Sequence, residues 1–452
     1  MIVQVPETIQ RMMDYFTAGQ RECYLVGGAV RDLLMGRNPR DYDLAVSAST
    51  EDVIRLAAET GKNIAYVLPH GVVGIHDEDY NIEISPFKGT SIEEDLGLRD
   101  YTINAMAVSR TGRLIDPWGG QADLASELIC ALGKPEAMLL ADPLRAFRAG
   151  RFAAMLGFGM EEHTAVALTS VLVRERLQGV AVERVREELE HTLVGAYAAR
   201  GLQVLVDSGL LECKCSARTA GKTVTVAILP EVAHLQGVQQ NPEYHQEDVL
   251  GHTLTTVDSI KPEIHLRWAA LLHDVAKGTP GVREIRKGKI TDYKHEVVGA
   301  EMAHRILTRL RVTSQVIDRV VWLVRQHMVL PRGLKWAYKH ARDFPDRQSF
   351  NRAVSDLFEL VRADREPRHL EVDQGCAEKF LSDTAGVPLY LSELAIDARA
   401  VVHRFGEGPQ VGKIMHDLLN EVRSGSCPNN RDSLLKALER KAARKGRHKR
   451  GR

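Results

Sequence analysis

The sequence predicts an α+β protein with its strands gathered in the first 124 residues and a helical remainder. Three observations carry this. Short apolar or alternating runs, punctuated by Gly, Pro and Asn, recur up to about residue 124. Beyond that point alternation stops and helical spacing takes over almost to the end. The opening Met1-Ile2-Val3-Gln4-Val5-Pro6 has neither the charged flank nor the apolar core of a signal peptide, and no apolar run is long enough to span a bilayer. A cytoplasmic protein with no membrane partner is expected.

The bulk composition is compatible with this and decides little. A chain of 452 residues has room for two to four domains and a substantial core. Lys+Arg and Asp+Glu both number 60, so any surface that attracts nucleic acid must be local. The six cysteines, Cys23, Cys130, Cys213, Cys215, Cys376 and Cys427, lack zinc-ribbon spacing, and free thiols are expected.

Taken in order, residues 7–18 read as a helix with Ile9, Met12, Met13 and Phe16 on one face. Tyr24 to Val26 reads as a strand, and Gly27-Gly28 as a tight turn into a helix that Gly36, Asn38 and Pro39 stop. A strand runs from Asp41 through Val46, and a helix starts at Ser49-Thr50-Glu51-Asp52 and ends near Gly61. Ala65–Leu68 and Val72–Ile75 read as strands around Pro69-His70-Gly71, and Asn81–Ile84 as a half-buried strand.

The chemistry is concentrated in Leu25-Val26-Gly27-Gly28-Ala29-Val30-Arg31-Asp32 and Arg40-Asp41-Tyr42-Asp43. A glycine pair at a helix start lets backbone N–H groups approach a phosphate, and the helix dipole favours the anion. In Asp41-x-Asp43 the strand period of two puts both carboxylates on one face. Facing carboxylates repel, so a divalent cation such as Mg²⁺ is the natural way to keep both ionised. A lone DxD is usually a solvated turn. Beside a phosphate cradle it is the equipment for nucleotidyl transfer. Glu83 is either a third carboxylate from a neighbouring strand or an outward strand residue.

These residues resemble the signature of the class II tRNA nucleotidyltransferases, the bacterial CCA-adding enzymes and their poly(A) polymerase relatives. Later motifs follow in the family's order. Arg99-Asp100-Tyr101-Thr102-Ile103-Asn104-Ala105-Met106 resembles the ribose-selecting motif and Asp116-Pro117-Trp118-Gly119-Gly120 the short turn after it. Asp142-Pro143-Leu144-Arg145 with Arg148 and Arg151-Phe152 resembles the nucleotide-selecting helix, and Glu183–Leu189 the neck helix. The resemblance implies a small mixed/antiparallel-sheet nucleotidyltransferase head over 1–124 and an all-α remainder. That remainder would comprise a neck with the nucleotide-selecting helices over 125–190 and an RNA-binding helical body over 191–244. It implies Asp41 and Asp43 as catalytic, Mg²⁺-holding residues. It also implies a nucleotide site of Gly27, Gly28, Arg31, Arg99, Asp100, Asn104, Asp142, Arg145, Arg148 and Arg151.

Within that reading, Arg99-Asp100 discriminates ribose through its hydroxyls, since a site built for a hydroxyl rejects the analogue lacking it. Asp142, Arg145 and Arg148 recur at three-residue spacing and would share a helix face, accepting and donating to the edge of a base. A surface ion pair is the ordinary alternative. Two departures from the family pattern are visible: Leu98 stands where a second arginine is common, and Ala141 where an acid is common. Arg184, Arg186 and Lys214 are available to phosphate, and Asp116 is read as serving a turn without chemistry.

Only Lys88-Gly89-Thr90-Ser91-Ile92 separates Phe87 from Glu93. In the family, CCA-adding enzymes carry a longer polar segment here that helps switch the pocket from CTP to ATP, and CC-adding enzymes lack it. The resemblance therefore implies CC addition to a tRNA 3′ end from CTP, with a separate A-adding enzyme acting afterwards. Full CCA addition with ATP as well, and poly(A) synthesis, are the alternatives; ordinary loop-length variation would carry no function.

A second constellation follows the loose stretch Pro230, Gly237, Asn241-Pro242. His252, His273-Asp274, His295, His327 and Asp364 form the order H…HD…H…H…D, which resembles the HD metal-dependent phosphohydrolases, over 245–370. Imidazoles with carboxylates suit a second divalent cation such as Mn²⁺ or Ni²⁺. An HD fold that only supports tRNA is the competing reading. The last region, 371–452, is expected to be helical with a basic tail from Lys436 to Arg452, either contacting RNA or solubilising the chain. Two other classes compete: a phosphohydrolase with a degenerate head, against which the Asp41/Asp43 pair argues, and an RNA-binding scaffold, which would not need two metal constellations.

Overall fold

The computed structural model describes residues 2–17, 21–68, 71–76, 80–243, 246–286, 288–366 and 375–450, with side chains to 443 at the C-terminus. Pro69-His70 and the side chains of most of the basic tail lie outside the described residues. The chain forms two compact units. One comprises Met1–Val238, Pro262–Arg267 and Arg305–Ser314; the other comprises Gln239–Lys261, Trp268–His304 and Gln315–Arg452.

The first unit opens with α1 (Glu7–Thr17), which buries Ile9, Met12, Met13 and Phe16, the face that its spacing predicts. Seven short strands then build one sheet: β1 (Cys23–Val26), β2 (Asp41–Val46), β3 (Ile64–Val67), β4 (Val73–His76), β5 (Asn81–Pro86), β6 (Ala107–Ser109) and β7 (Leu114–Ile115). Their order is β3-β4-β5-β2-β1-β6-β7. The β2–β5 pair is parallel and the other pairs are antiparallel, so the sheet is mixed. Between the strands lie α2 (Gly28–Leu34), α3 (Thr50–Glu59) and α4 (Ile92–Gly97). Ser49 accepts from the Asp52 N–H and Ser91 from the Glu94 N–H, each capping a helix start. Leu25, Leu44, Val46, Ile75, Ile82 and Ile84 fill the core between the sheet and α1 to α3.

From α5 (Gly120–Ala125) onward helices dominate, through α6 (Pro135–Ala141) and α7 (Leu144–Leu156). The expectation of an all-α remainder needs one amendment. Three two-stranded ladders interrupt it: β8 (Leu128–Ile129) with β9 (Gly159–Met160), β10 (Lys214–Thr219) with β11 (Lys222–Ala227), and β12 (Arg283–Arg286) with β13 (Lys289–Asp292). The body between residues 191 and 244 is therefore part hairpin. Ala220 and Gly221 turn it with φ of 50° and 79°, the paired positive φ of a tight hairpin. Asp116 behaves as expected: its carboxylate accepts from the Gly120 and Gln121 N–H groups at 2.8 and 2.9 Å, capping α5.

The second unit is built from helices, with the β12–β13 hairpin as its described sheet. Phe350, Val354, Phe358, Phe380 and Leu389 form one apolar cluster and Leu394, Val401, Met415, Leu418, Leu434 and Leu438 another. The basic tail continues the helix Arg431–Arg450. All six cysteines are free thiols, and no helix among the described residues is long and apolar enough to cross a membrane.

Candidate active site and metal centre

In the first unit a cavity of about 370 Å³ is lined by Gly27, Gly28, Arg31, Asp41, Asp43, Arg99, Asp100, Asn104, Arg145, Arg148 and Arg151, with Lys88 and Phe152. Every nucleotide-site residue expected from the sequence lies here except Asp142. Gly27 explains the glycine pair: its φ of 74° and ψ of −140° lie where only glycine is comfortable, and an added Cβ would stand 2.9 Å from the Arg99 guanidinium and 3.4 Å from the Asp43 carboxylate. The turn therefore brings bare backbone against the carboxylate pair.

Asp41 and Asp43 project from one face of β2. Asp43 pairs in register with Glu83, and Asp41 with Asn81, on the parallel strand β5. Glu83 thus faces the pair rather than pointing outward. The Tyr66 hydroxyl donates to Glu83 at 2.5 Å, and the Asn81 amide donates to Asp41 at 2.8 Å. Burial, reinforced by the charges of Glu83 and Asp41 and opposed by Arg99, pushes Asp43 up to about 6. A divalent cation fits this set: Asp41 and Asp43 share one strand face with Glu83 opposite Asp43, and the charges of Glu83 and Asp41 oppose the ionisation of Asp43.

The cationic wall is fixed by short-range contacts. Arg31 is buried, donating to Asn104 at 2.8 Å and pairing with Asp32. Arg99 is held 3.0 Å from buried Asp95, one helical turn earlier. Asp100 pairs with Arg148 at 2.9 Å and accepts from the Tyr101 N–H at 2.8 Å. Arg145 donates to the Leu98 carbonyl at 2.7 Å and Arg151 lies 3.6 Å from Glu188. The guanidinium groups of Arg31, Arg148 and Arg151 surround the Phe152 ring at 5.8, 5.5 and 5.9 Å.

Asp142 departs from expectation. It does not share a helix face with Arg145 and Arg148, because it sits in the break between α6 and α7 with φ −144° and ψ 99°. Pro143 drives the preceding residue out of the helical region. Its carboxylate accepts from the Leu144 N–H at 3.2 Å and lies 3.6 Å from Arg184, outside the cavity lining. Arg186 is likewise unavailable to phosphate: it donates to the Arg311 carbonyl at 2.6 Å and neighbours Glu187 and Glu190. Residue order alone assigns no role to Tyr66, Asn81 or Asp95, and Phe152 and Glu188 enter only inside family-like motifs, without a role of their own. Of these, Asp95–Arg99 was readable as an i,i+4 pair.

The second constellation also assembles, in the second unit. His252 and Asp364 come from the helices Val249–Ser259 and Arg347–Arg365, His295 opens the helix His295–Arg309, and His327 follows Ser314–Gln326. His252, His273 and Asp274 form one group of ligand atoms within 4.8 Å of one another; Asp274, His295 and His327 form another, so Asp274 belongs to both. Asp364 lies 2.9 Å from His252 Nε2. His327 is buried, not on the surface. The Nδ1 atoms of His273, His295 and His327 lie 2.7, 2.9 and 2.7 Å from the carbonyls of Ala270, Asp292 and Val324. With Nδ1 donating to those carbonyls, each Nε2 faces inward as the ligand atom, and a metal would displace any proton it carries. His273 Nε2 is buried, 3.2 Å from Asp274 and 3.6 Å from Asp364. Burial works against a charge on His273, but Asp274 and Asp364 raise it to about 10; burial with the neighbouring His273 and His295 lowers His327 to about 3. The donor set fits one or two divalent metals of the Mn²⁺, Ni²⁺, Fe²⁺ or Zn²⁺ kind.

Segments of the chain match three family models. Residues 23–93 and 88–130 match the poly A polymerase head domain, 157–213 the probable RNA and SrmB-binding site of polymerase A, and 234–373 the HD domain. The chain is 36% identical over 353 residues to the A-adding tRNA nucleotidyltransferase of Deinococcus radiodurans, covering 76% of each protein. It is 33% identical over 430 residues to the CC-adding tRNA nucleotidyltransferase of Thermus thermophilus, covering 91% of this chain and 92% of that one. The fold matches the crystal structure of the Bacillus stearothermophilus CCA-adding enzyme in complex with CTP, with a TM-score of 0.69, 23% identity, and coverage of 97% of this chain and 98% of that one.

Proposed function

Because the chain belongs to the tRNA nucleotidyltransferase and poly(A) polymerase family, and is thus a template-independent RNA nucleotidyltransferase, we propose that it adds two cytidines to the tRNA 3′ end from CTP. The observation that carries the choice of product is the short, pinned segment Lys88–Ile92. The Lys88 N–H donates to Asp95 at 3.0 Å, and the Thr90 N–H and hydroxyl donate to Glu94 at 2.7 and 2.8 Å. Ser91 caps α4. Nothing here has the length or freedom to reshape the pocket around a larger base.

In the proposed mechanism the triphosphate lies against the Gly27-Gly28 backbone and the cationic wall. Arg99 and Asp100 read the ribose, and Arg145 and Arg148 read the base. Asp41 and Asp43 would hold Mg²⁺, which would supply charge neutralisation for the triphosphate and a lowered pKa for the attacking 3′ hydroxyl. Asn81 and Tyr66 steady Asp41 and Glu83 through the hydrogen bonds given above. Phe152 keeps three guanidinium groups apart and aimed. In the second unit His252, His273, Asp274, His295, His327 and Asp364 would hold divalent metal, which would supply Lewis-acid chemistry for phosphoester hydrolysis as an additional activity.

The test uses purified protein and tRNA lacking its 3′ end, given CTP and ATP separately and together. Two cytidines and then a stop is the expected product. A second reading, terminal adenosine addition, is favoured by the 36% identity to the Deinococcus radiodurans relative. Adenosine added to tRNA ending in CC, with no incorporation from CTP, would replace the first reading by the second.

A further inference from the structure

Away from both constellations, the second unit contains a cavity of about 480 Å³ lined by Tyr338, Arg342, Phe344, Leu389, Tyr390, Leu391, His416, Leu419 and Arg423. Its lining is aliphatic and aromatic, and the charged or imidazole residues in it are Arg342, His416 and Arg423. The rings are held in place. Tyr390 donates its hydroxyl to the Ala341 carbonyl at 2.8 Å, and the Arg423 guanidinium lies over the Tyr338 ring at 4.8 Å. Arg423 is itself anchored on the Pro388 and Leu389 carbonyls. Arg342 and His416 are exposed at the rim. Rings held in place beside positive charge suit a flat heteroaromatic group that carries an anion, and the volume is that of a small-ligand site.

We propose that this cavity binds a single nucleotide, its base among Tyr338, Phe344 and Tyr390 and its phosphate between Arg342, His416 and Arg423. Two sources share that chemistry: an unpaired nucleotide of the RNA substrate, and a free nucleotide. The site would add affinity for substrate without taking part in the transfer.

The experiment uses the full chain with Arg342→Glu, His416→Ala and, as a control for general charge, Lys413→Glu, which is exposed on the same helix as His416. Band-shift titration with tRNA lacking its 3′ end reads the RNA source, and equilibrium dialysis against CMP reads the free one. For an RNA nucleotide, Arg342→Glu raises the tRNA Kd about tenfold and His416→Ala raises it less, while the KM for CTP is unchanged. For a free nucleotide, the tRNA Kd holds and Arg342→Glu loses one bound equivalent of CMP. Wild-type values from both variants in both assays, or an equal loss from Lys413→Glu, overturn the proposal.

Discussion

Asp43 and Glu83 stand opposite each other on the parallel pair β2–β5, in register and on one face of the sheet. The fold thus holds three carboxylates, with Asp41, where their charges disfavour one another, and burial raises Asp43 to about 6. Such an arrangement costs stability unless a cation is bound.

Asp43→Asn should therefore abolish nucleotide addition, by about 10²–10⁴-fold for the several kcal/mol that a metal contributes to charge stabilisation. In EDTA the same variant should be more stable than the wild type. The sign follows from the raised pKa: between the unfolded value near 4 and the folded value near 6 the unfolded state binds fewer protons, so wild-type stability falls as pH rises through that window. At pH 8 the variant should gain about 2–3 kcal/mol, and near pH 4 nothing. Urea melts at the two pH values check this; equal stability at pH 8 refutes the strained pair.

Gly27→Ala should damage the site through backbone strain and collision together. The left-handed φ costs about 1–3 kcal/mol for a residue with a Cβ. That Cβ would also displace Arg99. CTP turnover should fall at least about tenfold while the far-ultraviolet circular dichroism stays that of the wild type. Full activity in this variant would mean that the turn does not need its bare backbone.

Much of this was readable from residue order. The strand–turn–helix around Gly27 and the Asp41-x-Asp43 face follow from period and punctuation, and the four histidines converge where the H…HD…H…H…D order implied. What escaped has physical reasons. Asp142 lies at a family-like position, yet Pro143 takes it off the helix, and three-residue spacing alone does not reveal that break. The strand β11 carries the β-branched alternation Thr223-Val224-Thr225-Val226, but it is largely exposed and no buried face marks it out. Asn81 and Tyr66 gain their partners only through cross-strand register, a long-range relationship that local pattern does not encode.

The placement of Asp142 separates it from its expected partners in a testable way. Arg145→Ala should broaden base choice, admitting UTP or GTP, because its guanidinium lines the cavity. Asp142→Ala, whose carboxylate lies outside that lining, should change selection less and cost about 1 kcal/mol as a lost helix-start contact. Arg99→Ala should admit deoxynucleotides. Arg148→Ala should relax both choices, since it pairs with Asp100. Misincorporation assays with each nucleotide measure this; identical profiles from Asp142→Ala and Arg145→Ala would restore a shared template.

The histidine centre should report metal through stability. Adding Mn²⁺ or Ni²⁺ to chelator-treated protein at about 100 times its Kd should stabilise the second unit by about 2.7 kcal/mol. His273→Ala should remove that increment, because its buried Nε2 faces the centre, 3.2 Å from Asp274 and 3.6 Å from Asp364. Cytidine addition should persist in the variant. Calorimetry with and without metal decides it, and an equal metal-induced shift in His273→Ala would place the ion elsewhere.

The product itself turns on Lys88–Ile92. Three hydrogen bonds from this segment to Asp95 and Glu94, with the Ser91 cap, tie it to α4, and α4 also carries Asp95, which positions Arg99. Any movement of the segment is thereby resisted by the element that sets the ribose site. Loosening alone should not help: Glu94→Ala frees Thr90 but adds no length, so it should leave the enzyme stalled after two cytidines. Grafting a longer polar segment from a CCA-adding relative between Lys88 and Ser91 adds both length and freedom. The graft should then extend tRNA ending in CC with ATP, at a rate well below its cytidine addition, while the unmodified enzyme does not. Denaturing gels of the labelled tRNA resolve each added nucleotide. Adenosine addition by the unmodified enzyme as fast as cytidine addition would show that a short, pinned segment does not exclude ATP.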